Sequence, residues 1–237
     1  RCRAVPAPGT DPRACVGGRV TRYARRTDAL GLAEVRTVAV LFARADSIYK
    51  TMPGCDVWDI ERDARKWPGG APVVAHPPCR AWGRLSHMAN PRPDEMDLAR
   101  WAVARIRQFG GVLEHPAGSR LWADQALGTH KTPDAWGGWT LPIAQSWFGH
   151  RAEKLTRLYI VGCSPAEVPM MPLRLGEASH VIASSSARQV RSHPQFRPEV
   201  TRPEREQTPP ELAAWLAELA RRTSVASSVR VIEIEAA

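Results

Sequence analysis

Short apolar runs alternate with polar loops and one long amphipathic segment through the middle of the chain. Runs that are rich in branched aliphatic side chains and bounded by turn residues are typical of β-strands. Apolar side chains recur with a helical period over residues 94–109, which predicts a helix with Leu98, Val103 and Ile106 in the core. Strands that alternate with helices in this way indicate an α/β domain. The predicted strands cover residues 37–42, 56–59, 73–75, 112–113 and 139–145, and a further amphipathic strand lies within 146–162.

One predicted strand ends in two prolines and a cysteine. Proline cannot donate a hydrogen bond to a sheet, so the chain leaves the strand at Pro77 and Pro78. This places Cys79 at the carboxyl end of a strand, where ligands bind in open α/β sheets. A cysteine in such a rigid loop is a candidate nucleophile. Free cysteines are also common as small buried hydrophobic residues, and the tetrapeptide leaves both interpretations open.

A second apolar run ends in a similar way, with Glu114, His115 and Pro116. The helix predicted at 94–109 lies between the two runs. A β-α-β crossover of this length places both strands in one parallel sheet, with both ends at the same edge. We therefore expect Cys79 and Glu114 to face one pocket. Without Cys79, Glu114 would be interpreted as a solvated loop carboxylate.

Three segments together resemble motifs of the DNA cytosine-5 methyltransferases, in the reduced and divergent form that phages carry. They are the Pro-Pro-Cys motif at Cys79, the Glu-His-Pro motif at Glu114 and the segment 146–162, in the order of that family. The resemblance implies that Cys79 adds to C6 of cytosine and that Glu114 hydrogen-bonds the base at N3. Thiolate addition turns C5 into an enamine-like nucleophile, and a neighbouring acid stabilises the charge on the ring. His115 stands where the family usually has asparagine.

The resemblance also implies S-adenosylmethionine as the methyl donor, bound near Phe42, Asp46, Ser47 and Asp59. The glycines of the family's cofactor loop are absent, since Arg44 and Asp46 occupy their positions. Glycine permits close approach of the backbone to a ligand, so this loop is either remodelled or has lost the cofactor. Asp59 would bind a ribose hydroxyl. The aspartates near these strand ends are equally well interpreted as helix caps or solvated charges.

Substrate contacts are expected from the polar and aromatic residues around the three motifs. The loop after Cys79 would contact phosphate and stack on a flipped base, and basic residues near the last strand would hold phosphate or polarise the base. The candidate substrate-binding residues are His76, Pro78, Arg80, Trp82, Ser86, His115, Arg151, Lys154, Thr156 and Arg157.

Charge and cysteine content refine this picture. A net charge of +9 favours a polyanionic partner, either DNA or a pyrimidine nucleotide. The five cysteines form no Cys-x-x-Cys pair, which argues against a disulfide scaffold or a structural zinc site and favours the cytoplasm. No apolar run is long enough for a membrane helix and no leader is recognisable, so we expect no membrane partner.

We predict a single α/β domain with a Rossmann-like, mainly parallel sheet and a small irregular C-terminal insertion. The function that the resemblance implies is S-adenosylmethionine-dependent cytosine-5 methylation of DNA. Two alternatives stay open: a pyrimidine- or nucleotide-modifying enzyme with another donor, and an inactive DNA-binding or accessory protein of the same fold. The predicted parts are a poorly structured basic extension (1–36), a catalytic core (37–162), a small irregular basic region for target recognition (163–207), a C-terminal helix packed on the core (208–222) and a tail (223–237).

Overall fold

The computed structural model describes residues 35–83, 86–182 and 191–225 of the chain. The predicted basic extension lies outside the described residues except for Val35 and Arg36, and the predicted tail is described only as far as residue 225. Arg36 is attached to the folded unit, because its guanidinium donates a hydrogen bond of 2.9 Å to the carbonyl oxygen of Arg221. The folded unit therefore includes Val35 and Arg36.

Six strands form one mixed sheet: β1 (Val38–Leu41), β2 (Cys55–Trp58), β3 (Val73–Ala75), β4 (Gly111–Pro116), β5 (Trp139–Ala144) and β6 (Leu155–Val161). Their order across the sheet is β2-β1-β3-β4-β6-β5. Strands β1 to β4 pair in parallel, whereas β6 is antiparallel to both β4 and β5. The predicted α/β class is confirmed, but the sheet is mixed, with parallel pairing confined to the four strands β2-β1-β3-β4. The reason is that only residues 145–154 join β5 to β6, and a parallel neighbour requires a longer crossover.

Two long helices cover opposite faces of this sheet. Successive side chains of a strand point to opposite faces. Val38 and Val40 of β1 therefore pack in the same core cluster as the C-terminal helix, while Ala39 and Leu41 pack in the cluster of the helix between β3 and β4. The predicted helix at 94–109 is present with the expected apolar face. The two helices are α1 (Glu95–Phe109) and α4 (Pro210–Arg222).

The other helical segments are short and lie in the loops. The cap position of α4 is occupied by Pro209, which makes no side-chain capping bond. The short helices are α2 (Leu121–Asp124) and α3 (Arg202–Glu206), and the 3-10 turns are Ile48–Thr51, Ala64–Lys66, Arg80–Trp82, Ser86–Met88, Gln145–Phe148 and Pro165–Glu167.

The described parts of the predicted irregular region, 163–182 and 191–207, contain little regular structure apart from α3. Two isolated bridges tie this region down. The bridge from Ala152 to His180 connects it to the loop between β5 and β6, and the bridge from Val181 to Glu199 connects its two described parts. None of the helices within the described ranges combines the length and the apolar character that crossing a bilayer demands.

The loops that follow β1, β3 and β4 meet at one edge of the sheet. From β1 the chain moves to β2 on one side and then returns to β3 on the other side of β1. In open α/β sheets, such a reversal of strand order leaves a crevice at the carboxyl ends of the strands. The register of β3 on β4, in which Ala75 pairs with Leu113, brings the ends of these two strands to the same level.

Close contact between β3 and β4 depends on Gly111. This residue has φ +130°, and a Cβ atom built on it would lie 2.0 Å from the carbonyl oxygen of Val73. The backbones of the two strands therefore leave no space for a side chain at this position.

We predict that Gly111→Ala lowers the free energy of unfolding by about 2–5 kcal/mol, since it combines an unfavourable φ with a backbone clash. Urea unfolding followed by circular dichroism measures the change. Gly118→Ala is the matched control, because nothing lies within 4 Å of its Cβ position, and it should change stability by less than about 0.5 kcal/mol. Equal stability of the two variants would contradict this packing of β3 on β4.

Candidate active site

A cavity of ≈ 660 Å³ opens at the edge where β1, β3 and β4 end. Its walls also include the start of β6 and residues 205–208, which precede α4. This volume is typical of sites for ligands of nucleotide size. The cavity brings together most of the residues that the sequence nominated: Phe42, Asp46, Ser47, His76, Pro78, Cys79, Arg80, Glu114 and Lys154.

Cys79 follows the two prolines at the end of β3 and caps the 3-10 turn Arg80–Trp82. Its carbonyl oxygen accepts a hydrogen bond of 3.0 Å from the Trp82 backbone N–H, which fixes the turn that presents the side chain. Cys79 is an exposed, free cysteine in the pocket wall. Protein packed around the sulfur, followed by the charge of Glu114, raises the pKa of the thiol, and the Lys154 ammonium opposes this rise.

Glu114 is the fourth residue of β4 and projects toward the same cavity. Its Oε2 lies 3.1 Å from Nδ1 of His76, and its Oε1 accepts a hydrogen bond of 3.1 Å from Nε2 of Gln145. Burial by itself would raise the pKa of this carboxyl. The His76 hydrogen bond, followed by the charge of Lys154, outweighs burial and lowers the pKa to about 2. The Glu114 side chain is therefore an ionised carboxylate at neutral pH.

Lys154 is a basic residue of the cavity wall, and its charge acts on both Cys79 and Glu114. Its ammonium donates to the carbonyl oxygen of Gln207 at 3.3 Å. The pocket arginines Arg44, Arg80 and Arg205 each lie within 4.0 Å of a carboxylate. Among the described residues, Lys154 is thus the basic side chain of the pocket that has no such partner and is available to a ligand anion.

Thr156 is a buried residue that positions Gln145, which in turn contacts Glu114. It is 1 % exposed, and its hydroxyl accepts a hydrogen bond of 3.0 Å from Gln145 and donates one of 3.2 Å to the Lys154 carbonyl oxygen. Thr156 therefore holds Gln145 against Glu114 and does not itself line the cavity.

The residues expected to hold a methyl donor divide between two adjoining cavities. Phe42 lines both of them, whereas Asp59 lies in a second cavity of ≈ 290 Å³. Phe42 has φ +61°, an uncommon conformation for a residue other than glycine and one that is often found at ligand sites. Asp59 is 3 % exposed and is already bound, to Lys50 at 2.6 Å and to the backbone N–H groups of Glu61 and Arg62.

Ion pairs close the loop after β1, which contains Arg44 and Asp46. The Arg44 guanidinium donates to both carboxylate oxygens of Asp46, at 2.8 and 3.0 Å, and to Glu206 at 2.8 Å. These contacts join the loop after β1 to α3 across the cavity. Asp46 is thereby engaged by Arg44.

Two nominated residues lie in the core on the other side of the structure. Trp82 is 1 % exposed and packs in the α1 cluster, so it is not placed to stack on a base. His115 is 1 % exposed and follows Glu114 in β4, so its side chain points to the opposite face of the sheet, toward Trp122. Burial lowers the pKa of His115 to about 4. It is therefore neutral at physiological pH.

Three further nominated residues lie away from the cavity. Arg151 is paired with Glu204 and contacts His180. Arg157 lies over the ring of Trp122, with its guanidinium carbon 5.4 Å from the ring centroid. Ser86 accepts a hydrogen bond of 3.0 Å from Arg120.

Tyr49 and Gln145 contribute to the site although sequence reasoning did not nominate them. Gln145 ends the apolar run of β5 and is fully buried, and Tyr49 is 1 % exposed in the turn after β1. A polar residue at the end of a buried strand was the available signal for Gln145. The contact between Tyr49 and His76 joins two loops that follow different strands, and the sequence gives no indication of it.

No group of three or more His, Cys, Asp or Glu side chains suited to a metal ion occurs in the part of the chain that the structure describes. Comparison with protein-family models, with curated proteins and with solved structures gave no match.

We predict that Glu114→Gln speeds alkylation of Cys79 by iodoacetamide and that Lys154→Met slows it. The thiolate is the reacting species, and removing the Glu114 charge lowers the pKa of the thiol, whereas removing the Lys154 charge raises it. Each effect should lie between about twofold and tenfold at pH 8, since one pKa unit changes the thiolate fraction up to tenfold. Peptide mass spectrometry measures the rates.

Cys55 and Cys163 serve as internal controls for these variants because they are half-buried and buried, away from the cavity. Their rates should not change. Slower alkylation of Cys79 in Glu114→Gln would contradict an electrostatic coupling between the two pocket residues.

Proposed function

We propose that this protein modifies C5 of a pyrimidine, with Cys79 as the nucleophile that adds to C6 and Glu114 as the group that holds the N3 edge of the base. The most specific form of the proposal is an S-adenosylmethionine-dependent DNA cytosine-5 methyltransferase. The observation that carries it is that Cys79 and Glu114 line one cavity of suitable size. The pair forms a nucleophile and a charged hydrogen-bonding group within a single ligand site.

The strand order favours the same interpretation. The reversal beside β1 resembles the switch point of Rossmann-like folds, and the cavity lies at the carboxyl ends of the strands there. The antiparallel β6 adds Lys154 to the cavity from the opposite direction. We therefore propose a Rossmann-like arrangement in which β1 to β4 provide the catalytic edge.

The protein groups would act in a simple sequence. The Cys79 thiol first loses its proton to solvent, and the thiolate then forms a bond to C6. The electron pair of the C5–C6 double bond forms a C4–C5 double bond, and the electron pair of the C4–N3 double bond moves to N3. Glu114 holds the base edge by accepting a hydrogen bond from the exocyclic amino group, and Lys154 provides positive charge beside the reacting thiolate. After C5 has acquired its substituent, loss of the C5 proton and departure of the thiolate restore the aromatic ring.

The residues present fit a donor that extends from the main cavity into the second one. Phe42, Ala43 and Pro78 line both cavities, so a ligand could bridge them next to Cys79. Ser47 provides a hydroxyl on the main cavity and Asp59 a carboxylate on the second. S-adenosylmethionine, when bound, supplies an electrophilic methyl group.

DNA is the polyanionic substrate that the charge of the protein favours. Lys154 suits a phosphate or the base, because no carboxylate within the described residues neutralises it. A cytosine in duplex DNA would have to flip out of the helix to reach Cys79. The small size of the region 163–207 suits weak sequence preference.

A second candidate is a C5-modifying enzyme with the same Cys79–Glu114 pair but a different donor. It is favoured by the ion pairs from Arg44 to Asp46 and Glu206, which occupy the loop where glycines would admit S-adenosylmethionine. A different donor is also favoured because the Asp59 carboxylate is already engaged by an ion pair with Lys50 and by two backbone N–H groups.

We predict that S-adenosylmethionine and S-adenosylhomocysteine bind with micromolar dissociation constants and that Asp59→Asn weakens binding at least about tenfold, through loss of a charged hydrogen bond to ligand. Isothermal titration calorimetry measures both. Asp56→Asn is the matched control, since Asp56 lies on β2, the strand that directly precedes Asp59, and pairs with Arg62 but lines neither cavity. Absence of binding to the folded protein would eliminate this donor and leave the second candidate.

A further inference from the structure

A chain of hydrogen bonds leads from the core to the candidate catalytic carboxylate. The Tyr49 hydroxyl lies 3.1 Å from Nε2 of His76, and Nδ1 of His76 lies 3.1 Å from Oε2 of Glu114. The rings of Tyr49 and His76 also pack together, with centroids 5.5 Å apart. Tyr49 is buried, while His76 and Glu114 each expose 13 % of their side chains. The chain therefore runs from the interior to the cavity.

The position of Tyr49 determines which nitrogen of His76 carries the proton. Burial, and then the charge of Glu114, raise the pKa of Tyr49 well above its usual value, so its hydroxyl keeps its proton. In a neutral His76, Nε2 accepts this O–H and the ring proton lies on Nδ1, directed at Glu114. In a charged His76, both nitrogens donate and the Tyr49 oxygen accepts. Because a hydroxyl can donate or accept, Tyr49 suits both states of the ring.

The proposed chemistry requires a proton that an anionic Glu114 does not itself hold. Addition at C6 places an electron pair on N3 of the pyrimidine, and protonation there stabilises the adduct. We propose, resting on the function proposed above, that Tyr49 and His76 form a proton relay in which His76 supplies this proton to N3 through Glu114. Tyr49 acts as a positioning residue that keeps the imidazole aligned.

The proton transfer begins with the His76 imidazolium, the Glu114 carboxylate, the Cys79 thiolate and the neutral pyrimidine base. The sulfur–C6 bond forms, N3 takes one proton from Glu114, and Glu114 takes the Nδ1 proton of His76. It ends with a neutral imidazole that carries its proton on Nε2, facing the Tyr49 oxygen, and with the Glu114 carboxylate restored. When the thiolate leaves, the N3 proton returns along the same path.

The groups that face this relay are few in the described part of the chain. Tyr49 and Glu114 contact His76 directly, and Gln145 holds the other oxygen of Glu114. Lys154 and Cys79 act on Glu114 by charge. No other ionisable side chain is required for the transfer.

The variant His76→Asn separates a proton carrier from a merely positioning residue. Asparagine can donate an N–H to Glu114 from near the Nδ1 position, but it cannot carry an extra proton. Reversible addition of Cys79 to C6 makes C5 basic, so hydrogen at C5 of cytosine should exchange with deuterium from heavy water without any donor. Exchange measured by mass spectrometry on a cytosine-containing oligonucleotide, and on deoxycytidine monophosphate, therefore reports this step.

We expect His76→Asn and His76→Ala to slow C5 exchange by about 10²–10⁴-fold, the usual contribution of a general acid. Nucleotide affinity should change less than about tenfold, and Tyr49→Phe should slow exchange less than the His76 variants do. His130→Asn, an exposed histidine outside the cavity, is the control and should exchange at the normal rate. Normal exchange in His76→Asn would overturn the relay and leave His76 with a positioning role.

Nitrogen NMR of the imidazole tests the hydrogen-bond chain independently of activity. The neutral His76 ring should carry its proton on Nδ1, and Tyr49→Phe should shift the ring toward the Nε2–H form. A charged ring whose Nδ1–H signal does not change in Glu114→Gln would overturn the relay, whatever the exchange rate, because His76 would then not donate to Glu114. The expected tautomer without any C5 exchange in the wild-type protein would instead overturn the proposed function, and the relay's catalytic role with it.

Discussion

Parallel pairing of β3 with β4 is the constraint on which the candidate site depends. Val73, Val74 and Ala75 pair with Gly111, Val112 and Leu113, and α1 makes the crossover between the two strands. This register brings the loop that carries Cys79 to the level of Glu114. The contact is so close that only glycine fits at position 111. A shift of one residue would turn Glu114 to the other face of the sheet, where His115 now lies.

Charge compensation around Glu114 is the second requirement of the site. A buried carboxylate is costly unless donors and opposite charges surround it. His76, Gln145 and Lys154 provide these, and they follow β3, follow β5 and precede β6, respectively. The segments that flank the antiparallel strands therefore contribute to the electrostatics of the site. The charges of Glu114 and Lys154 also act on the pKa of Cys79, so the nucleophile and the carboxylate respond to one another.

The sequence predicts the strands and α1 well because branched aliphatic runs and helical periodicity report burial directly. It also predicts that Cys79 and Glu114 lie close together, because β-α-β crossovers follow a strong topological rule. It does not predict the face occupied by His115, because the expected strand stopped short of this residue and β4 continues to Pro116. Nor does it predict the contact of Tyr49 with His76, since contacts between loops depend on tertiary packing. The burial of Trp82 is not predicted either, since it also depends on tertiary packing.

Covalent trapping of Cys79 by a pyrimidine tests the central claim most directly. In 5-fluorocytosine the fluorine cannot leave C5 as a proton does, so a methylated adduct would stay attached to the enzyme. The protein would be incubated with S-adenosylmethionine and an oligonucleotide containing 5-fluorocytosine, and its peptides would be analysed by mass spectrometry. The account predicts that the Cys79 peptide gains the mass of the nucleotide and a methyl group, and that Cys79→Ser abolishes the gain. A cytosine methylated equally by the wild-type and Cys79→Ser proteins, without an adduct, would contradict it.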